Sequence, residues 1–106
     1  MLYDGSASQV GSYTLSSQIR NYRFIEIFGM NTILYTMLWS VKFRVSKISD
    51  DYAYVITHSR NLFVSNFRIS FKGNIFKIAE NNRIQVQSGA TTEYQQELIY
   101  NIVGYQ

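Results

Sequence analysis

His58 has the side chain best suited to acid–base chemistry near neutral pH, and it is the only histidine among the 106 residues. As a catalytic base it would need a nucleophile within reach and a carboxylate that orients the ring. The patterns Ser-x-x-Lys, Gly-x-Ser-x-Gly and His-Glu-x-x-His do not occur, and the chain has no cysteine. A single histidine at a predicted strand end is usually a surface or capping residue, so we expect no catalytic site around it.

The acidic residues do not follow the spacing of a known site either. Asp50-Asp51 is the only adjacent acidic pair, and it lacks the Asp-x-Asp-x-Asp-Gly spacing of a calcium loop. A carboxylate pair for glycoside hydrolysis could be assembled in space, but of Asp50, Asp51, Glu80, Glu93 and Glu97 only the last lies outside a predicted loop. We therefore expect no enzyme activity, no metal site and no cofactor.

The aromatic residues favour binding over catalysis. Nine Tyr, seven Phe and one Trp occur, and flat Tyr and Trp rings offer apolar area with a polar edge on which a sugar can stack. Because loops carry function, polar side chains near predicted strand ends are candidates for hydrogen bonds to a ligand, with ordinary polar loops as the alternative for each. The candidate ligand-binding residues are Tyr54, His58, Arg60, Asn61, Asn81, Asn82 and Arg83.

The charge pattern limits the choice of partners. Ten Lys and Arg residues against seven Asp and Glu residues give a net charge of +3, and the cations are scattered without a basic block. Nucleic-acid binding needs clustered cations or an identifiable motif. Only 16% of the residues are charged, which indicates that part of the surface contacts another protein or a ligand. The longest nearly uncharged run, Phe28 to Val41, is too short to span a bilayer. We expect neither a nucleic-acid partner nor membrane insertion.

Alternation of apolar and polar residues predicts short strands along the chain. Phe67, Ile69 and Phe71 share one face of a strand, and Lys72-Gly73-Asn74 predicts a hairpin turn after it. Other turns are predicted at Asp4-Gly5, Ser49–Asp51 and Glu80–Asn82. The predicted strands include Tyr22–Phe28, Trp39–Val45, Tyr52–Thr57, Leu62–Phe71, Arg83–Gln87 and Glu97–Tyr105.

These seven or eight strands, without a convincing helix, indicate one all-β domain over residues 1–106, a jelly-roll-like antiparallel β-sandwich. The strand Tyr22–Phe28 is apolar on both faces. Such a strand is usually central in a sandwich or covered by another subunit, and the low charge elsewhere favours the second option. We therefore predict a homo-oligomer with an interface that includes Tyr22, Phe24 and Phe28.

The two ends of the chain carry a further pattern. Thr14 to Ile27 reads TL-S-x-x-I-x-NY-x-x-I-x-I, and the chain closes with Ile99-Tyr100-Asn101-Ile102-Val103-Gly104-Tyr105. Both segments resemble the C-terminal domain of bacteriophage tail-fibre and minor structural proteins. The match covers Leu2–Phe28 and Leu98–Gln106, whereas the middle of the chain is similar only in its β character.

The resemblance implies the C-terminal tip of a longer fibre protein, made in the cytoplasm of the bacterial host and carried on the virion tail. Such tips are commonly trimers, and they bind a host-surface polysaccharide, teichoic acid or an outer-membrane component. A trimerisation or attachment module without a ligand is the alternative. A remoter option is a carbohydrate-binding module appended to a cellular enzyme, which would be a monomer in solution.

Overall fold

The computed structural model describes residues 1–32, 38–47, 53–60, 63–85, 89, 91–92 and 97–106, with 47, 53–60, 63–65, 83–85 and 91–92 described by their backbone alone. This part of the chain is almost entirely β, apart from two short 3₁₀ turns at Ile19–Asn21 and Val45–Lys47. Its strands are β1 (Tyr3–Ala7), β2 (Gly11–Thr14), β3 (Phe24–Asn31), β4 (Leu38–Arg44), β5 (Ala53–Arg60), β6 (Phe63–Lys72), β7 (Ile75–Gln85), the two-residue β8 (Thr91–Thr92) and β9 (Glu97–Tyr105).

The strands form two antiparallel sheets. Sheet A has the order β1-β9-β3-β4, and sheet B has the order β2-β7-β6-β5, with β8 paired to β7. As in a jelly-roll, the first and last strands are neighbours in one sheet while β2 lies in the other. In the middle of the chain, β3–β4 and β5–β6–β7 instead pair in sequence order. The prediction of an all-β antiparallel sandwich is confirmed.

The core lies between the sheets and follows the predicted alternation. Phe67, Ile69 and Phe71 on β6 are fully buried, as predicted. Aromatic rings of the two sheets contact each other in the core. Tyr3 of β1 packs edge-to-face on Phe76 of β7, with ring centroids 5.0 Å apart. The buried apolar residues of the strands are Ala7, Ile25, Ile27, Ile99 and Ile102 on sheet A and Phe67, Ile69, Phe71, Phe76 and Ile78 on sheet B.

The predicted hairpin turn between β6 and β7 is also confirmed, and it holds a neighbouring segment in place. Gly73 has a φ of +62°, a conformation that glycine adopts without steric cost. The carbonyls of the turn accept backbone hydrogen bonds, from Leu15 N to Asn74 O at 2.7 Å and from Ile19 N to Gly73 O at 3.2 Å. The hairpin tip thus fixes the 3₁₀ turn that precedes β3.

Two predicted turns are wrong. Asp4-Gly5 lies inside β1, where the pairing with β9 shifts register between Asp4 and Ala7. Glu80–Asn82 lies inside β7, and the side chains of Glu80 and Asn82 are paired across to β6. Arg68 contacts Glu80 at 3.5 Å, and Asn66 donates hydrogen bonds to Glu80 at 2.6 Å and to Asn82 at 3.2 Å. In a turn, acidic and amide side chains bond to the nearby backbone. Here residues of the neighbouring strand bind them instead, and the chain continues as a strand.

Trp39 on the edge strand β4 packs over Gly29 of β3. The two residues are in register, and a Cβ at Gly29 would collide with the six-membered ring of the indole. The absence of a side chain lets the indole lie close to the backbone and contact Phe67 of sheet B, with ring centroids 5.9 Å apart. Glycine at this position is therefore a requirement of packing.

We expect Gly29→Ala to lower the free energy of unfolding by about 1–3 kcal/mol, because the displaced indole forces strain on a close-packed region. Urea denaturation of the variant and the wild type measures the change. Ser40→Ala is the control, because Ser40 is exposed on the opposite face of β4, and its effect should stay within about 0.5 kcal/mol. Equal stabilities of the two variants would contradict the packing argument.

Candidate functional site

The outer face of sheet A, the side away from the core, is rich in rings and aliphatic side chains. It arises because β3 is apolar on both faces, as predicted: Ile25 and Ile27 are fully buried, while Phe24 and Phe28 alternate with them and are half-buried. Strands β9 and β4 flank β3 and add further apolar residues. The outer face comprises Phe24, Glu26, Phe28 and Met30 of β3, Leu98, Tyr100, Asn101, Val103 and Tyr105 of β9, and Leu38, Ser40, Lys42 and Arg44 of β4.

Cations from β4 cover one end of this outer face. Lys42 Nζ lies 5.2 Å from the centroid of the Phe24 ring and 4.5 Å from that of Tyr105, and the Arg44 guanidinium lies 5.3 Å from Phe24. These are cation–π distances. The Tyr105 hydroxyl donates a hydrogen bond of 2.8 Å to Glu26, which raises the pKa of that hydroxyl above its usual value. The rings at this end are therefore in contact with charged groups.

The other end of the outer face is less covered. Phe28 and Tyr100 lie with ring centroids 6.4 Å apart, and the register shift between β3 and β9 next to Phe28 places Tyr100 at the irregularity. Leu38 on the edge strand is 64% exposed. A contiguous apolar patch with a charged rim is typical of a surface that meets another molecule.

Tyr22 does not lie on the outer face with Phe24 and Phe28. Its ring packs on Gly104, where an added Cβ would lie 2.5 Å from Tyr22 Cδ1. Gly104 is in register with Ile25, a core residue. The alternation predicted from Tyr22 fails because β3 begins only at Phe24, after a bend in the chain.

A cleft with a volume of about 500 Å³ opens beside Tyr22 and is lined by three arginines, Arg20, Arg23 and Arg44. It lies where the two 3₁₀ turns come together. Backbone hydrogen bonds fix its rim: Arg23 N donates to Tyr105 O at 2.8 Å, and Val45 N donates to Arg23 O at 2.9 Å. We call this the arginine cleft. Sequence reasoning missed it because the cations are far apart along the chain.

The described lining residues of the arginine cleft carry positive charge alone. No carboxylate is among its described lining residues, and in the ranges that the structure describes neither Arg20 nor Arg23 forms an ion pair. Tyr22, Ile19 and Val45 supply apolar walls. The cleft thus combines cations with an aromatic ring, a combination suited to an anionic ligand with an apolar face.

The predicted ligand-binding residues are only partly brought together. Asn61 lies outside the described residues. His58 and Arg83 fall in one cross-strand row, because each pairs with Ser65 of β6. The candidates whose backbone lies on β5 and β7 of sheet B are Tyr54, His58, Arg60 and Arg83.

Asn81 and Asn82 are not surface loop residues, which corrects their predicted position. Asn81 is fully buried and Asn82 is 7% exposed, because β7 continues through both. Asn81 Nδ2 donates to the backbone oxygens of Ser8 at 2.7 Å and of Glu97 at 2.8 Å, thereby linking sheet B to sheet A. The side-chain hydrogen bonds of both residues go to other groups of the protein.

Glu97 is the centre of a buried polar group that sequence reasoning did not find. Its carboxylate is fully buried and accepts hydrogen bonds from Asn31 Nδ2 and from Trp39 Nε1, both at 3.0 Å. Asn31 and Glu97 are paired across β3 and β9. Because a buried charge without partners is costly, we interpret this group as a structural contact that links β3, β4 and β9 within sheet A.

No protein-family model matches the sequence, and no curated protein matches it significantly. Within the described residues, no group of three or more His, Asp or Glu side chains is placed to hold a metal ion. No helix in this part of the chain is long and apolar enough to cross a membrane.

Proposed function

We propose that this domain is the tip of a bacteriophage tail fibre, which assembles as a homo-oligomer and binds a glycan on the host cell surface during adsorption. The observation that carries the proposal is the outer face of sheet A, a band of rings and aliphatic side chains that the core leaves uncovered. A band of this kind fits the packing of fibre subunits against one another.

The segments that resemble fibre proteins are neighbours in the fold, which supports the resemblance. β1 and the start of β3 come from the first matching segment, and they lie on either side of β9, which comes from the second, in sheet A. Ile25 and Ile102, which occupy isoleucine positions of the pattern, are buried in the core. These residues therefore relate to the fold, and the receptor would be recognised by other residues.

A structural module without a ligand is the second candidate. The outer face favours it as much as it favours a receptor-binding tip, because oligomerisation alone would cover these rings. What favours a ligand is the arginine cleft, since its cations have no acidic partner among the described residues. The two candidates therefore differ in whether the purified domain binds cells.

We expect the fluorescently labelled domain to bind cells of at least one strain in a panel of bacteria. Periodate oxidation of surface sugars should weaken this binding by about tenfold or more, because the sugar hydroxyls that form hydrogen bonds are destroyed. Protease treatment of the same cells is the control and should leave binding unchanged. Absence of binding to every strain would favour the structural module, and loss of binding after protease alone would indicate a protein receptor.

A further inference from the structure

Four cations that are scattered in the sequence lie near one another in the fold. Arg20 belongs to the first 3₁₀ turn, Arg23 precedes β3, and Lys42 and Arg44 lie on β4. The register of β3 and β4 pairs Phe24 with Arg44, which places Arg44 at the same corner as Arg23. Lys42, two residues earlier on β4, contacts the same Phe24 ring.

We infer that the arginine cleft binds an anionic group of the receptor glycan, a carboxylate or a phosphodiester; the inference rests on the glycan-binding function proposed above. Guanidinium groups bind both anions through paired, charge-assisted hydrogen bonds. The cleft volume of about 500 Å³ lies within the range of small-molecule sites. It has room for a sugar unit together with its charged substituent.

The arginine side chains are available to a ligand. Arg20 and Arg23 are exposed and have no ion pair in the described part of the chain. Arg44 lies against the Phe24 ring, which limits the entropy that this side chain loses when it binds an anion. An anion in the cleft would thus contact Arg44, which packs on the Phe24 ring, and the exposed side chains of Arg20 and Arg23.

The apolar wall of the cleft favours a sugar as the carrier of the anion. The Tyr22 ring is half-buried against Gly104 and lines the cleft, so it offers a fixed surface on which a sugar ring can stack. Nucleic acid fits less well, because its binding sites follow the phosphate backbone along an extended basic surface. Here the three arginines converge on one cleft.

The test compares two double variants with the same change in net charge. Arg20→Gln with Arg23→Gln removes two cations from the cleft. Lys72→Gln with Lys77→Gln removes two exposed lysines from sheet B and serves as the control. The probes are hyaluronan as a carboxylate polymer, poly(glycerol phosphate) as a phosphodiester polymer, uncharged dextran and single-stranded oligothymidylate, measured by calorimetry in about 50 mM and about 300 mM salt.

We expect one of the two anionic polymers to bind, which identifies the anion. The arginine variant should bind that polymer about tenfold or more weakly, whereas the lysine variant should stay within about twofold of the wild type. Equal losses in both variants would show unspecific charge attraction and overturn the inference. Tighter binding of oligothymidylate than of either polymer would also overturn it.

The failure of this inference is distinct from failure of the proposed function. Binding to bacterial cells that is unchanged in the arginine variant would place the receptor site elsewhere and leave the proposed function standing. Absence of cell binding by the wild type would remove the proposed function. In that case binding of an anionic polymer to the cleft would not count as receptor recognition.

Discussion

Replacing Phe71 by alanine should lower the free energy of unfolding by about 3–5 kcal/mol. Phe71 is fully buried on β6, and its ring lies 6.3 Å from that of Phe76 on β7. The Phe76 ring in turn stacks on Tyr13 of β2 with centroids 5.0 Å apart. The substitution therefore leaves a cavity beside rings from neighbouring strands of sheet B, and close-packed interiors fill such a cavity only in part.

Ile75→Ala is the matched control for this prediction. Ile75 lies on the same hairpin but is 42% exposed, so its truncation should cost no more than about 1 kcal/mol. Urea denaturation gives both free energies, provided that the slope of the transition is unchanged. If Phe71→Ala were as stable as Ile75→Ala, the assignment of Phe71 to the core would be wrong.

The strands that the sequence predicts correctly are those in which the order of apolar and polar residues follows from burial alone. Phe67, Ile69 and Phe71 alternate with polar residues because one face of β6 meets the core and the other meets solvent. The last strand was predicted at Glu97–Tyr105 and lies there. Local alternation is enough to locate such strands.

The predicted turn at Glu80–Asn82 shows where local reasoning fails. Acidic and amide residues favour turns because their side chains bond to the nearby backbone. Here Asn66 and Arg68 on the next strand supply the partners instead. The register of two strands is a long-range property, so the polar run could not be recognised as part of a strand from its composition.

The candidate site was predicted only in part for the same reason. Phe24 and Phe28 were predicted at an apolar surface and lie on the outer face of sheet A. The arginine cleft was not predicted, because Arg44 reaches Arg20 and Arg23 only through the pairing of β3 with β4. Scattered cations in a sequence thus do not exclude a cluster of cations in the fold.

The largest effect that we expect on assembly concerns Phe24 on the outer face of sheet A. The wild-type domain should sediment as a homo-oligomer at tens of micromolar, and as a trimer if the resemblance to fibre proteins holds. Phe24→Glu should shift the domain to monomers, because a charge buried between apolar faces loses its hydration. We expect the dissociation constant to rise by about a hundredfold or more.

The variant should remain folded, which makes the result interpretable. In the monomer the new carboxylate would lie beside Lys42 and Arg44, which now lie over the Phe24 ring, so its charge has cationic partners. Ser12→Glu on exposed β2 of sheet B adds a negative charge elsewhere and should leave assembly unchanged. A wild-type domain that sediments as a monomer at this concentration would rule out the outer face as a subunit interface. Its rings would then be free to stack on a sugar, and Phe24→Glu should weaken binding to cells while Ser12→Glu does not.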